Sequence, residues 1–86
     1  MGQQKESIKM AIKDEILGHF RKMQAKAGDV LAADWLYGDF MANLSTKEQR
    51  AFEEIVSEMI QEGLIEYVGG AKPTYAITRK GLDILC

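Results

Sequence analysis

STKEQRAFEEIVSEMIQEGLIEYV, residues 45–68, is the stretch that decides the fold of this chain. Its first four residues have the Ser-x-x-Glu spacing of a capping box, in which Ser45 accepts a bond from the backbone of Glu48 while Glu48 reaches back. A helix is therefore predicted to begin here. Apolar residues then recur with the i, i+3, i+4 spacing of a buried helical stripe, at Phe52, Ile55, Val56, Met59 and Ile60. Gly63 is predicted to end this helix as a left-handed cap.

The residues that follow Gly63 predict a β-hairpin. Residues 64–68 and 74–78 are rich in β-branched and aromatic side chains, and glycines at 69 and 70 break the run between them. We expect two strands joined by a tip at residues 69–73. Thr78 is then placed to cap a last short helix over residues 79–85, with Leu82 and Leu85 on one side.

The first part of the chain predicts a long amphipathic helix from about Lys5 to Ala27. Its apolar residues recur three and four apart, at Ile8, Ile12, Ile16, Phe20, Met23 and Ala27. Gly28 follows as a natural stop. The lysines at 5, 9 and 13 form a ladder along one edge, which we interpret as a solvent-exposed surface.

The next stretch predicts a brief extended segment and a second helix. Val30, beside the glycine break, favours an extended segment over residues 29–32 that edges a small sheet. Residues 33–43 predict a helix with Leu36 and Phe40 on its buried side, although Gly38 costs it roughly 1 kcal/mol relative to alanine. We interpret Trp35, Tyr37 and Phe40 as structural core rather than as a ligand cage.

Composition and charge limit the protein to a few classes. With 86 residues and 47% hydrophobic content, the chain suits one domain, residues 1–86. A formal net charge of −2 gives no global attraction to a polyanion, so any nucleic-acid binding requires a local basic patch. The lone cysteine, Cys86, has no partner for a disulfide, which suits a reducing cytoplasm. The N-terminus has neither a secretory signal nor a membrane span.

The residues give little support to an enzymatic function. No Ser-His-Asp, Cys-His, HExxH, P-loop or paired-carboxylate arrangement is present in the sequence. His19 borders the buried stripe of the first helix without a second histidine or a carboxylate cluster at metal spacing, so we interpret it as a packed or edge residue. We expect neither an enzyme nor a bound metal, cofactor or small-molecule substrate.

Two segments of the sequence, each spanning the boundary between a predicted helix and a predicted strand, resemble a known family. The first reads Met59-Ile60-x-x-Gly63-Leu64-Ile65-Glu66, and the second reads Tyr75-x-Ile77-Thr78-x-x-Gly81-Leu82-x-x-Leu85. Together they resemble the winged helix-turn-helix domains of PadR-like and MarR-like bacterial transcription regulators. The resemblance implies an α+β winged helix, in which a three-helix bundle carries a small antiparallel hairpin as its wing and a short C-terminal helix.

The resemblance also implies DNA binding by a cytoplasmic transcription regulator that forms homodimers. The third predicted helix enters the major groove and the hairpin tip meets the backbone. Polar and basic residues at the start of that helix, at the tip and after it are the expected contacts: Thr46, Lys47, Arg50, Lys72, Arg79 and Lys80.

Charge leaves a second function open. From residue 46 to 62 the third predicted helix carries Lys47 and Arg50 but five glutamates, and acids near phosphate repel it. The alternative is a protein–protein interaction module that binds no DNA. Such a module would self-associate through a second apolar seam on the first helix, formed by Met10 and Leu17, or offer its acidic helix to a basic partner.

Overall fold

The computed structural model describes residues 2–85, with side chains from residue 6 onward, and it confirms an α+β fold. Its α-helices in this range are α1 (Gly2–Lys22), α2 (Thr46–Gln61) and α3 (Arg79–Leu85). A π-helix (Asp34–Phe40) and a 3₁₀ turn (Met41–Asn43) lie between α1 and α2. Strands β1 (Ile65–Val68) and β2 (Thr74–Ile77) form a hairpin between α2 and α3. Cys86, with its predicted unpaired thiol, lies outside the described residues.

The start and end of α2 are as predicted. The Glu48 N–H donates to Ser45 Oγ at 3.2 Å, and the Ser45 N–H donates to Glu48 Oε1 at 3.0 Å, which completes the capping box. Gly63 has φ +78°, as expected of a left-handed cap. The predicted stripe is buried except for Ile60, which is 38% exposed. Ala51 is buried instead, so the buried sector of α2 is rotated away from Ile60.

The predicted end of the first helix is wrong. α1 stops at Lys22, Gln24 takes a left-handed φ of 55°, and Met23 is exposed rather than part of the stripe. The reason lies at the sheet, where the Gly28 N–H donates to the Ile77 carbonyl at 2.8 Å. Because residues 28–31 must reach β2, the chain leaves the helix before its apolar periodicity ends.

The sheet contains the predicted hairpin. β1 and β2 pair antiparallel, with Ile65 opposite Ile77 and Val68 opposite Thr74. On the other edge of β2, Val30 forms an isolated antiparallel bridge with Ala76, which confirms the short extended segment. β2 therefore lies between the Val30 segment and β1.

The predicted second helix is present but is not an α-helix. Seven of its residues, Asp34–Phe40, form a π-helix, in which backbone bonds span five residues instead of four, and a 3₁₀ turn follows. Gly38, a poor α-helix former, lies inside the π-helix. Leu36 is buried and Trp35 and Phe40 are half-buried against the core, as predicted. The interpretation of Tyr37 as core is wrong: it is 38% exposed, and its hydroxyl bonds to the Pro73 carbonyl at the hairpin tip.

The core lies between α1, α2 and the hairpin, and it includes a residue that we expected on the surface. Leu17 is only 7% exposed, so the predicted exposed seam of Met10 and Leu17 is wrong, although Met10 itself is 55% exposed. α1 packs against α3 as well as α2, so more of its circumference is covered than a single stripe predicts. None of the helices within residues 2–85 has the length and apolarity needed to cross a bilayer.

The start of α3 depends on a close approach between the backbone at Gly81 and the backbone at Leu64. The Gly81 N–H donates to Thr78 Oγ1 at 3.0 Å, which confirms Thr78 as the cap. Gly81 is buried, and a Cβ at this position would lie 2.2 Å from the Leu64 carbonyl oxygen. Only glycine therefore lets α3 start this close to Leu64, the residue before β1.

Candidate nucleic-acid interface

The start of α2 brings three of the six predicted contact residues together. Thr46, Lys47 and Arg50 are exposed and line one open groove, whose volume is about 540 Å³. Ile8 of α1 and Ala51 form the apolar part of its lining. Since the capping box fixes the first turn of α2, these side chains project from a rigid helix end.

The other three predicted contacts lie elsewhere. Lys72 is exposed at the hairpin tip, which is tied to the π-helix because the Tyr37 hydroxyl donates to the Pro73 carbonyl. Arg79 and Lys80 begin α3, and the aliphatic stem of Lys80 lies over Gly63 at the far end of α2. At 1.5 Å per residue, that end is about 24 Å from Lys47.

A lysine of α1 pairs with a glutamate on the outer face of α2. The Lys9 ammonium forms an ion pair with the Glu58 carboxylate and lies 4.0 Å from Glu6. The Lys9 side chain is only 11% exposed, so the interpretation of Lys9 as part of a solvent-exposed ladder is wrong. The hydrogen bond to Glu58 is the main cause that raises the pKa of Lys9. No local sequence signal marks a partner so distant along the chain.

The rest of the outer face of α2 is acidic. Glu53, Glu54 and Glu58 line a shallow surface together with Ser57 and Gln61. Glu48 is separate from this surface because its carboxylate accepts the Ser45 N–H bond, and that bond lowers the pKa of Glu48. Positive charge on α2 is thus confined to its first turns.

The aromatic residues connect the helices to the hairpin. The rings of His19 and Trp35 stack with centroids 3.8 Å apart, and Phe40, Phe52 and Tyr75 continue the series of ring contacts into β2. This confirms His19 as a packed residue at the edge of the core. Loss of hydration, followed by repulsion from Lys22, lowers the pKa of His19.

Groups of three or more metal-ligating side chains are absent from the described part of the chain. Comparisons with protein-family models, with curated proteins and with solved structures find no match. What the protein does is therefore inferred from its own residues.

Proposed function

We propose that the protein is a winged-helix DNA-binding protein and transcription regulator that contacts DNA through the first turns of α2. One observation carries this proposal: α2 presents Thr46, Lys47 and Arg50 together on an exposed, capped helix start. In helix-turn-helix proteins the recognition helix enters the major groove and reads base edges with its N-terminal residues.

The order of elements supports the winged-helix assignment. A long helix, a bridge segment at Val30, a second helical segment, α2, a hairpin and α3 follow one another along the chain. The Val30 segment pairs with β2, so the hairpin is anchored beside the helices rather than free. The tip carrying Lys72 then forms the wing.

The contact residues have chemistry suited to DNA. The Arg50 guanidinium matches the O6 and N7 acceptors of guanine, and the helix start favours phosphate. Lys47 and Thr46 are placed beside it for phosphate oxygens, which receive most protein–DNA hydrogen bonds. Lys72, Arg79 and Lys80 lie farther away and are proposed as backbone contacts of the wing and of the start of α3.

One ion pair reduces the repulsion that the acidic helix predicts, since Lys9 pairs with Glu58. Glu48 keeps its charge, because its bond from the Ser45 backbone lowers its pKa. Glu53 lies on the acidic outer face and Glu54 also lines the groove of Lys47 and Arg50, so we expect DNA to approach the first turns and not the whole length of α2.

Fluorescence anisotropy with a labelled mixed-sequence duplex at low salt tests the proposal. The Lys47→Glu, Arg50→Glu double variant is expected to abolish binding. The Arg21→Glu, Lys22→Glu double variant makes the same charge change at the exposed end of α1 and is the matched control. Equal losses in both variants would show a nonspecific charge effect, and a wild-type protein that does not bind would reject DNA binding.

A protein–protein interaction module is the second candidate function. The acidic surface on α2 favours it, as does Tyr67 of β1, whose side chain is 60% exposed. With Leu17 buried, self-association through α1 would rest on Met10 alone. Sedimentation that shows a monomer at tens of micromolar would reject self-association, and intact DNA binding would favour the first function over a basic protein partner. Either function suits a cytoplasmic protein, the location that the lone cysteine favours.

A further inference from the structure

A groove between α1 and the 3₁₀ turn is separate from the basic residues of α2. Its volume is about 460 Å³, and its apolar floor is formed by Ile8, Ile12, Phe40 and Leu44. Three of these side chains are only half-buried, so the groove is an uncovered edge of the core. Ala11, small and exposed, leaves the groove open on the α1 side.

The dimensions of this α1 groove suit a helix. Its lining runs along α1 from Ser7 to Glu15, which at 1.5 Å per residue is about 12 Å. Anchor residues at i, i+3, i+4 and i+7 of a bound helix span about 10.5 Å at the same rise. The volume also lies within the range of roughly 300–1,000 Å³ typical of binding clefts.

The described side chains that line the groove carry charge of one sign. Glu15, Asp39 and Glu48 are its charged lining residues, and no lysine or arginine is among the described side chains that line it. A phosphate backbone or an anionic lipid surface is repelled by such a rim, whereas lysine and arginine are attracted. Ile8 separates this acidic groove from the groove that contains Lys47 and Arg50.

We propose that the α1 groove binds an amphipathic helix of a partner protein that has basic flanks. Large aliphatic side chains of that helix fill the floor between Ile8 and Leu44, and its lysines or arginines meet Glu15 and Asp39. Burial of the apolar anchors supplies most of the affinity, and the acidic rim selects basic helices. This groove contains none of the proposed DNA contacts, although it adjoins their groove at Ile8.

The probe is a labelled 18-residue peptide with leucines at i, i+3, i+4 and i+7 and lysines elsewhere, and a second peptide carries glutamates in place of the lysines. We expect only the lysine peptide to bind the wild-type protein. The Glu15→Lys, Asp39→Lys variant should weaken that binding at least about tenfold and bind the glutamate peptide. The Glu53→Lys, Asp83→Lys variant has the same charge change outside the groove and should stay within about twofold. Ala11→Arg should prevent peptide binding, because the larger side chain fills the groove on its α1 side.

Amide chemical-shift mapping places the bound peptide, and circular dichroism checks that each variant is folded. Shifts centred on residues 8–15 and 40–44 support the proposal. No binding of the lysine peptide, equal losses in the matched control, or shifts centred elsewhere would overturn it. A wild-type dimer that Ala11→Arg dissociates would show that a second copy of the chain fills the groove, which also overturns it.

Discussion

The Lys9 ammonium of α1 and the Glu58 carboxylate of α2 form an ion pair across the interface of the two helices. The Lys9 side chain is largely covered there, so the pair both fixes the packing of α1 on α2 and removes one negative charge from the outer face of α2. The Glu58 side chain is 47% exposed, so water screens the pair and its contribution to stability is smaller than that of a fully buried pair.

Replacing Lys9 with methionine is expected to lower the free energy of unfolding by more than the matched change Lys22→Met. Lys22 is an exposed lysine near the end of the same helix. A double-mutant cycle of Lys9→Met and Glu58→Gln, measured by urea unfolding, isolates the coupling between the two residues. A coupling free energy of zero would contradict the pairing.

The pH dependence of the same pair has a definite sign. The pKa of Lys9 is raised above the ordinary value of 10.5, chiefly by its bond to Glu58. Its contribution to stability is therefore complete below pH 10.5 and is lost as pH rises through the folded-state pKa. The Lys9→Met variant should lack this alkaline loss, which pH-dependent urea unfolding measures.

Two glycines on helices are expected to respond oppositely to alanine. At Gly81 a Cβ would lie 2.2 Å from the Leu64 carbonyl oxygen and 2.7 Å from Ile77 Cδ1, so Gly81→Ala should destabilise the fold by about 3 kcal/mol or prevent folding. At Gly18, exposed on α1, a Cβ meets nothing within 4 Å. Gly18→Ala should therefore stabilise by about 1 kcal/mol.

Thermal and urea unfolding of both variants measure these changes. Stabilisation by Gly81→Ala would contradict the close contact between α3 and Leu64.

The capping box should make stability sensitive to acid. Ser45→Ala removes the acceptor for the Glu48 N–H and is expected to cost about 1 kcal/mol. The pKa of Glu48 is lowered, first by its bond from the Ser45 backbone, so its contribution is present above the ordinary pKa of 4.5 and lost as pH falls through the folded-state pKa. Glu48→Gln keeps the capping geometry without titrating, so urea unfolding between pH 6 and 2 should show a smaller loss of stability for this variant.

Features that depend on near neighbours could be predicted from the sequence. The capping box at Ser45, the left-handed Gly63, the hairpin and the Thr78 cap each involve residues a few positions apart or a change from helical to strand composition. Their energies are local, so their residue types indicate them. The three exposed residues at the start of α2 followed directly from that cap.

Features that depend on distant residues could not be predicted. α1 ends early because Gly28 must pair with Ile77, and Leu17 is buried in the core although it lies off the main apolar stripe of α1. Lys9 meets Glu58 only after the helices have packed. For the same reason, the sequence did not show that Arg79 and Lys80 lie far from the start of α2.

The stack of His19 on Trp35 gives a spectroscopic prediction. The pKa of His19 is lowered from 6.5, first by loss of hydration, so the folded state favours the neutral ring and loses stability as pH falls below 6.5. Trp35 is the only tryptophan in the sequence, and a protonated imidazole quenches indole fluorescence. Fluorescence should fall on acidification with a midpoint below pH 6.5.

His19→Gln is the control, because it keeps a polar planar group that does not titrate in this range. The midpoint should disappear in this variant. A midpoint at or above pH 6.5 in the wild-type protein would contradict the lowered pKa.

The salt dependence of duplex DNA binding tests most directly whether the start of α2 contacts the phosphate backbone. The logarithm of the binding constant should fall linearly with the logarithm of the salt concentration, and each lysine or arginine removed from a phosphate should reduce the slope by about one. We predict that Lys47→Ala, which removes the proposed lysine–phosphate contact, reduces the slope by about one. An unchanged slope, or a wild-type protein that does not bind DNA at about 50 mM salt, would contradict the proposed function.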